Sequence, residues 1–571
     1  MSVSMRSIIR DILRGRPGRA LFLTLTLSAS GFVAAAPPGY TNLVELFGEF
    51  VEWRSEASSS NLALGSNQYR KTAVRAQLKQ LKEMRHRFDA LEAESWSVSE
   101  RVDYLAVRAQ LDQAQFKLQV SRPWARDPGF YIDPLMRIAF TALPADDTSG
   151  PRLRRQLGAV GDWLALAREN LVEAAGDYAD LALHNLTRHD GVGHGHPFRE
   201  TPPAGVIGWY EDLRTRAVDK APALVPLIDE ALLEIRSFEA WLRETRSEMN
   251  AEAGVGAEMF NWYLRNVKLM PWSAEEVLVL AERELERLRA FHALERVRNR
   301  HLPELDLPEN AAQYRQRVER TDRAIGAFIE DTDFISVPDY IPDDFEKMGY
   351  NVPWIERPDG PNYWEQIQYR DPAPDHWHAV IPGHRFDALV AARNEHPIRR
   401  HIADAGRAEG WAMYLEEVPL QLGFYDGGND NRYGNSPRVR ELIYNFGIFR
   451  AVRTIGDVKL QRNQMDPEAV ARFWMANTPW LDADVARVDA EIYLRRPPGY
   501  GISYTIGAFQ LQQLLADRQR QLGSDFELGQ FHDRIMQAGR IPIALLRWEL
   551  TGLDDEIESL WRAQPLPWML E

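Results

Sequence analysis

Apolar and polar positions along this chain recur with a period near 3.6 over most of its length. After Ser97 the apolar side chains fall at Val102, Leu105, Ala109 and Phe116, and after Ser273 at Leu278, Ala281, Leu285 and Leu288. That spacing lines one face of a helix. Each run is preceded by Ser-x-x-Glu, Ser97 with Glu100 and Ser273 with Glu276, the pattern in which a hydroxyl and a carboxylate satisfy the first free N–H groups. Asp466-Pro467 opens "EAVARFWMA" with an N-cap and a proline at the first helical position. Strict alternation, the mark of a half-buried strand, is rare, and "DFISVPDYI" (333–341) is its best example. The pattern predicts a mostly α protein with few short strands.

Two stretches break the helical rhythm. "RHDGVGHGHPFRETPPAG" (188–205) is Gly/Pro/His punctuation, in which His194 and His196 read either as an exposed loop or as a small metal-binding tract. The second stretch (339–376) is a long proline-rich approach to a histidine cluster, and long loops of this kind are often functional. Residues 1–36 are different material. Arg6, Arg10, Arg14, Arg16 and Arg19 precede the apolar run Ala20–Ala36. A basic segment, an apolar core and a small-residue end predict a secretory signal peptide; a retained anchor is the alternative, although the run is short for a span of about 20 residues. The predicted organisation is a signal peptide (1–36), an N-terminal helical region (37–265) and a C-terminal helical region (266–571) carrying the chemistry, together one fold across 40–565.

Composition narrows the function. With 45% hydrophobic and 26% charged residues the sequence has ample core for a globular protein. It has no cysteine, which excludes disulfides, thiolate metal sites, cysteine nucleophiles and a lipid-bearing lipobox. The net charge is −15, and removal of five arginines and Asp11 with the leader makes it more negative still. Such acidity disfavours nucleic acid and anionic membrane surfaces as partners. Export across the inner membrane to the periplasm, without stable membrane insertion once the leader is removed, is the expected location.

The densest chemistry is "HWHAVIPGHRFD" (376–387), followed by "RAEGWAMYLEE" (407–417). His376, His378 and His384 offer imidazole ligands, and Glu409 and Glu416, seven apart, share one helix face. A catalytic zinc takes three such ligands and leaves one position open. The spacing is unusual: histidines six apart on a regular helix would be rotated about 120° from each other. Pro382-Gly383 lies between them and would break or bulge the helix. Two readings stand on spacing alone, a bulged turn that unites the imidazoles or a proline-bent loop of hydrogen-bonded histidines.

These segments, with "FRAVRTIGDVKLQ" (449–461), "EIYLRRPPGYGISYTIG" (491–507) and "FELGQFHDRIMQAGRIPIALL" (526–546) in order, resemble the bacterial domain-of-unknown-function 885 family. Its members read HExxPGHH, EGWALYAE, RxxRxxxDxxxH and YxxG. The resemblance implies a large helical, metallopeptidase-like fold with a central groove and a zinc-dependent hydrolase of peptide or other amide bonds. It implies His378, His384 and Glu409 as ligands of one zinc ion and Tyr504 as the motif tyrosine, whose hydroxyl would stabilise an oxyanion. Three positions depart from the pattern: Ala379 replaces the glutamate after the first histidine, Arg385 the second histidine of the pair, and Gln461 the last histidine. The resemblance makes the missing glutamate the general base, a group whose loss costs about 10²- to 10⁴-fold. Glu416 and Asp387 are the candidate replacements, each with a structural role as its alternative. Asp457, Arg450, Arg453, Arg385 and His376 are expected to orient ligands or substrate. Arg495 or Arg496 would grip a substrate carboxylate or form a structural ion pair. His532 is expected to pack between helices. If no base replaces the glutamate, the alternatives are an impaired enzyme that binds a peptide or partner, or a metal-assisted enzyme that is not a hydrolase.

Overall fold

The structure, a computed structural model, describes residues 38–59, 67–146, 149–190, 199, 201–342, 348–349, 351–426, 433–434 and 436–567. The expected leader (1–36), His194 and His196 lie outside them. Among the described residues the fold is helical, and the only β pairings are two isolated bridges, Ala175 with Ala251 and Ala403 with Arg540. No described helix is long and apolar enough to cross a membrane. Contacts gather Gly39–Glu571 into one unit.

Local sequence explains most helix starts. Ser97 and Ser273 each accept from the backbone N–H three residues on, while Glu100 and Glu276 reach back to the cap N–H. Asp466 accepts from the Ala469 N–H at 2.7 Å, with Pro467 at the first helical position. A third capping box, Asn362 with Glu365, starts a helix over Tyr363–Arg370 inside the stretch read as a continuous loop. The expected strand at 333–341 does not form. Its apolar Phe334, Ile335 and Ile341 are buried in the core, but the Ser336 N–H and hydroxyl bond to the Asp533 carboxylate at 2.9 and 2.6 Å rather than to a partner strand.

Seven helices build the site and are numbered here in chain order: α1 (Ala311–Asp331), α2 (Ala373–Ala379), α3 (His384–Ala391), α4 (Ala405–Gln421), α5 (Val439–Gln461), α6 (Ala483–Arg495) and α7 (Ile502–Leu522). Helix α5 is buried around nearly its whole circumference, as expected of a helix at the centre of a large core. Helices α4 and α7 cross with backbones touching. A Cβ on Gly410 would lie 2.5 Å from the Gly507 carbonyl carbon, and one on Gly507 would lie 2.8 Å from the Gly410 Cα. No side chain fits between them, so the pair of glycines sets how close Glu409 comes to the start of α7.

Because overpacking a tight contact costs about 1–3 kcal/mol, Gly410→Ala and Gly507→Ala should each lower the denaturation midpoint. Urea melts of the two variants beside the parent chain check this; an unchanged midpoint in both would mean that the helices can separate freely.

Candidate functional site

The Pro382-Gly383 turn folds α3 back onto the end of α2. The Ile381–Pro382 bond is cis. A Cβ on Gly383 would lie 2.6 Å from the Trp377 carbonyl oxygen and closer still to that of His378, so only glycine permits this approach. Val380 and Ile381 N–H both bond to the His376 carbonyl at 2.9 and 3.0 Å, and Trp411 on α4 donates its indole N–H to the Pro382 carbonyl at 2.9 Å. The helix is therefore broken between the histidines. Their ring centroids stand 4.8 Å apart with the planes at 88°.

Helix α4 adds the carboxylate. Glu409 Oε2 lies 3.1 Å from His384 Nε2 and 3.8 Å from His378 Nε2. One ligand atom from each of the three residues can be chosen so that all lie within 4.8 Å of one another. Tetrahedral zinc with bonds of about 2.0–2.1 Å separates its ligand atoms by about 3.3 Å, so the three donors fit such an ion in type and spacing. Burial would raise the Glu409 pKa, but His384, His378 and Tyr500 outweigh it and hold the group down at about 2. Burial lowers His384, yet its bond to Glu409 leaves it raised; His378 is driven well down by burial and by the neighbouring His384 and Arg450.

The other side of His378 meets Glu416, whose Oε1 lies 2.7 Å from Nδ1. The contact is bent away from a well-aligned hydrogen bond. Glu416 also accepts from Arg450 at 3.1 Å, and burial raises its pKa to about 7. The i, i+7 relation between Glu409 and Glu416 thus sets the two carboxylates on opposite nitrogens of one imidazole. Glu416 faces the back of the ring. It lies against His378 Nδ1 and is not placed beside the ring nitrogen that faces Glu409. Asp387 accepts from the fully buried Arg407 at 3.2 Å.

Tyr500, which sequence reasoning missed, donates to Glu409 Oε1 at 2.8 Å and lies 3.1 Å from the Tyr504 hydroxyl. A carboxylate only accepts, so the single Tyr500 proton goes to Glu409 and Tyr504 is the donor within the tyrosine pair. Burial, then the nearby Glu409 charge, raises Tyr500 to about 12 and also raises Tyr504 well above its ordinary value. The available signal was the i, i+4 spacing of the two tyrosines in "GYGISYTIG". The Tyr504 ring runs nearly parallel to that of His378, at 11° and 6.4 Å.

The remaining expected residues separate into supports and outliers. Arg450 and Arg453 lie over the Tyr504 ring at 5.3 and 4.7 Å, and Arg453 pairs with Asp489 at 2.9 Å. Asp457 was expected to orient an imidazole or arginine; instead it accepts from the Gly501 and Ile502 N–H groups at 2.7 and 3.3 Å and fixes the start of α7. Burial pushes its pKa up to about 7. Gln461 bonds the Tyr493 carbonyl at 3.1 Å. His376 turns from the triad to Asp322 on α1, at 2.7 Å. Arg385 bonds backbone carbonyls of Met348, at 2.6 Å, and Gly349. His532 bonds Phe334 O at 2.7 Å and Tyr414 at 2.8 Å and is fully buried, which fits helix packing. Arg495 is held by Asp127, Asp133 and Glu491 at 2.8–3.1 Å, so it forms the structural ion pair rather than a free grip. Asp375, read as a loop residue, lies in α2; it is buried and accepts from Asn351 at 3.0 Å.

Comparison with known proteins gives a family signal over part of the chain and a likeness of fold over most of it. Residues 369–550 match the family model described as "Bacterial protein of unknown function (DUF885)". A structure described as a "putative lipoprotein of unknown function" from Shewanella oneidensis is similar at 15% identity and a TM-score of 0.65, covering 90% of this chain and 99% of that one. The "putative lipoprotein" from Colwellia psychrerythraea is similar at 14% identity and the same TM-score of 0.65, with coverage of 90% and 99%. At these identities the likeness is one of fold. A comparison with curated proteins finds no match.

Breaking a buried ion pair on one side strands the other charge and costs about 3–5 kcal/mol. Arg495→Ala, which strands Asp127, should therefore destabilise the chain by that amount in denaturant melts; a loss below about 0.5 kcal/mol would return Arg495 to the pool of free binding groups.

Proposed function

We propose that this chain is an exported zinc-dependent hydrolase of peptide or other amide bonds, working without the usual general base. The observation that carries the reading is the convergence of His378, His384 and Glu409 on one point, their ligand atoms within 4.8 Å. Three ligands of these types, backed by a carboxylate on the far nitrogen of one histidine, form the arrangement that orients and sharpens an imidazole for metal binding. Zinc held there would lower the pKa of a bound water and polarise a carbonyl.

The chain's own residues divide the remaining work. Tyr500 holds Glu409 so that one oxygen faces the imidazoles. Glu416 fixes the orientation of His378, and Arg450 offsets part of its charge. Tyr504 can swing its proton from Tyr500 toward a developing oxyanion. At 379 no carboxylate is available to take a proton from water and hand it to the leaving nitrogen, so that proton would pass through solvent, and amides with weakly basic leaving amines would be slowed least. Export is supported by the basic-then-apolar start of the sequence. It is also in keeping with the description of both structural neighbours as lipoproteins, although this sequence offers no cysteine for lipid attachment.

One observation favours a second reading. Ala379 stands where the base would be, Glu416 contacts the far nitrogen of His378 and Asp387 is bonded to Arg407, which supports as the alternative a metal-loaded protein that binds a peptide without cleaving it.

Purified full-length protein should hold about one zinc per chain, measured by elemental analysis, and His384→Ala and Glu409→Ala should lose it. Tyr500→Phe should keep the ion but weaken it about 10- to 100-fold. Absence of zinc binding in the parent chain would overturn the reading. Ala379→Glu should raise turnover of a peptide nitroanilide about 10²-fold or more; zinc binding with no turnover in either form would select the binding protein.

A further inference from the structure

A cavity of about 390 Å³ lies between the N-terminal helices and the segment joining α6 to α7. Its apolar wall includes Phe50, Trp53, Tyr69, Phe116, Trp124 and Tyr263. Its charged lining is one-sided: Arg54, Lys117, Arg126, Arg495 and Arg496 against the single carboxylate of Asp127. This is the reverse of the molecule as a whole, which carries a net charge of −15.

Asp127 is already engaged by Arg495, and Arg126 bonds the carbonyls of residues 252–254. Lys117 and Arg496 have no carboxylate partner among the described residues. Lys117 belongs to a single π-helical turn, Lys117–Ser121, inserted after the helix Val98–Phe116. Turns of this kind cluster at functional sites, and here Lys117, Leu118 and Ser121 all face the cavity. Although exposed as a residue, Lys117 is crowded enough at its ammonium for desolvation to lower its pKa. Arg496 stacks over Tyr500 at 4.2 Å, and Tyr500 holds Glu409. One cation therefore touches both the cavity and the triad's support.

We propose that this cavity binds the carboxylate-bearing apolar end of the substrate, an aromatic or large aliphatic residue with a free carboxyl group. The aromatic wall takes the side chain, and Lys117 and Arg496 take the carboxylate. The assignment of this ligand as substrate rests on the hydrolase reading, whereas the binding itself does not. Concave, largely apolar sites with a few convergent polar groups are the usual form of a small-molecule pocket, and a charge-assisted bond selects strongly for the ionised ligand.

Isothermal titration of the full chain in excess chelator tests this with N-acetyl-L-phenylalanine against its amide. The acid should bind at least about tenfold more tightly than the amide. The Lys117→Met/Arg496→Met double variant should reduce that preference to about twofold or less while leaving amide affinity unchanged, and Lys117→Arg/Arg496→Lys should retain it. Equal affinity for acid and amide, no binding of either, or a preference that survives the methionine variant would overturn the proposal. Because metal is removed throughout, failure of zinc binding and failure of this pocket are separate results.

Discussion

Two glycines in contact set the geometry on which the site depends. Gly410 and Gly507 let α4 and α7 approach until their backbones touch, and the residues beside that contact are the ones that carry chemistry. Glu409 precedes Gly410, while Tyr500 and Tyr504 stand at the head of α7. A larger residue at either crossing position would push the helices apart and lengthen the 2.8 Å bond between Tyr500 and Glu409. A third glycine does the same for the nitrogen ligands, since Gly383 lets α3 double back on the end of α2. Close packing transmits such changes because the interior has little room to absorb them.

Around this frame the buried charges are arranged in chains. Arg450 touches Glu416, Glu416 touches His378, and His378 faces Glu409 across the gap where the ligand atoms converge. Burying each group alone would be costly; linked, each charge has a neighbour of opposite sign or a dipole aimed at it. Asp457 follows the same logic with backbone donors at the start of α7. The site is therefore held from behind by several helices, as preorganisation requires.

Much of this was legible from the residues. Ser97 with Glu100, Ser273 with Glu276 and Asp466 with Pro467 mark helix starts because capping is a local affair of three or four residues. Pro382-Gly383 marked the break that a six-residue histidine spacing needs. The misses are equally physical. "DFISVPDYI" alternates because its apolar residues plug the core from an irregular segment, and periodicity does not say whether a partner strand exists. Asp375 read as loop because two prolines and an aspartate crowd 371–374, yet prolines are tolerated in a first helical turn. Glu409 and Glu416 were rightly placed on one face, but a helix face does not specify which nitrogen of an imidazole each carboxylate meets. Tyr500 escaped because its role is set by a contact 91 positions away.

The replacement at Ala379 is best understood with the rest of the site intact. Tyr500, Glu416 and Arg450 are of use mainly if His378 and Glu409 must keep a fixed orientation, because an imidazole and a carboxylate free to rotate in water would need no such bracing. Burying Glu416 raises its pKa to about 7, a cost that a surface histidine would not require. A chain that had simply lost its chemistry would gain stability by replacing such a network with apolar residues of the same volume. On the hydrolase reading proposed above, this bracing would place the effect of Ala379 in the proton-transfer step and leave the ligand-holding part of the site intact.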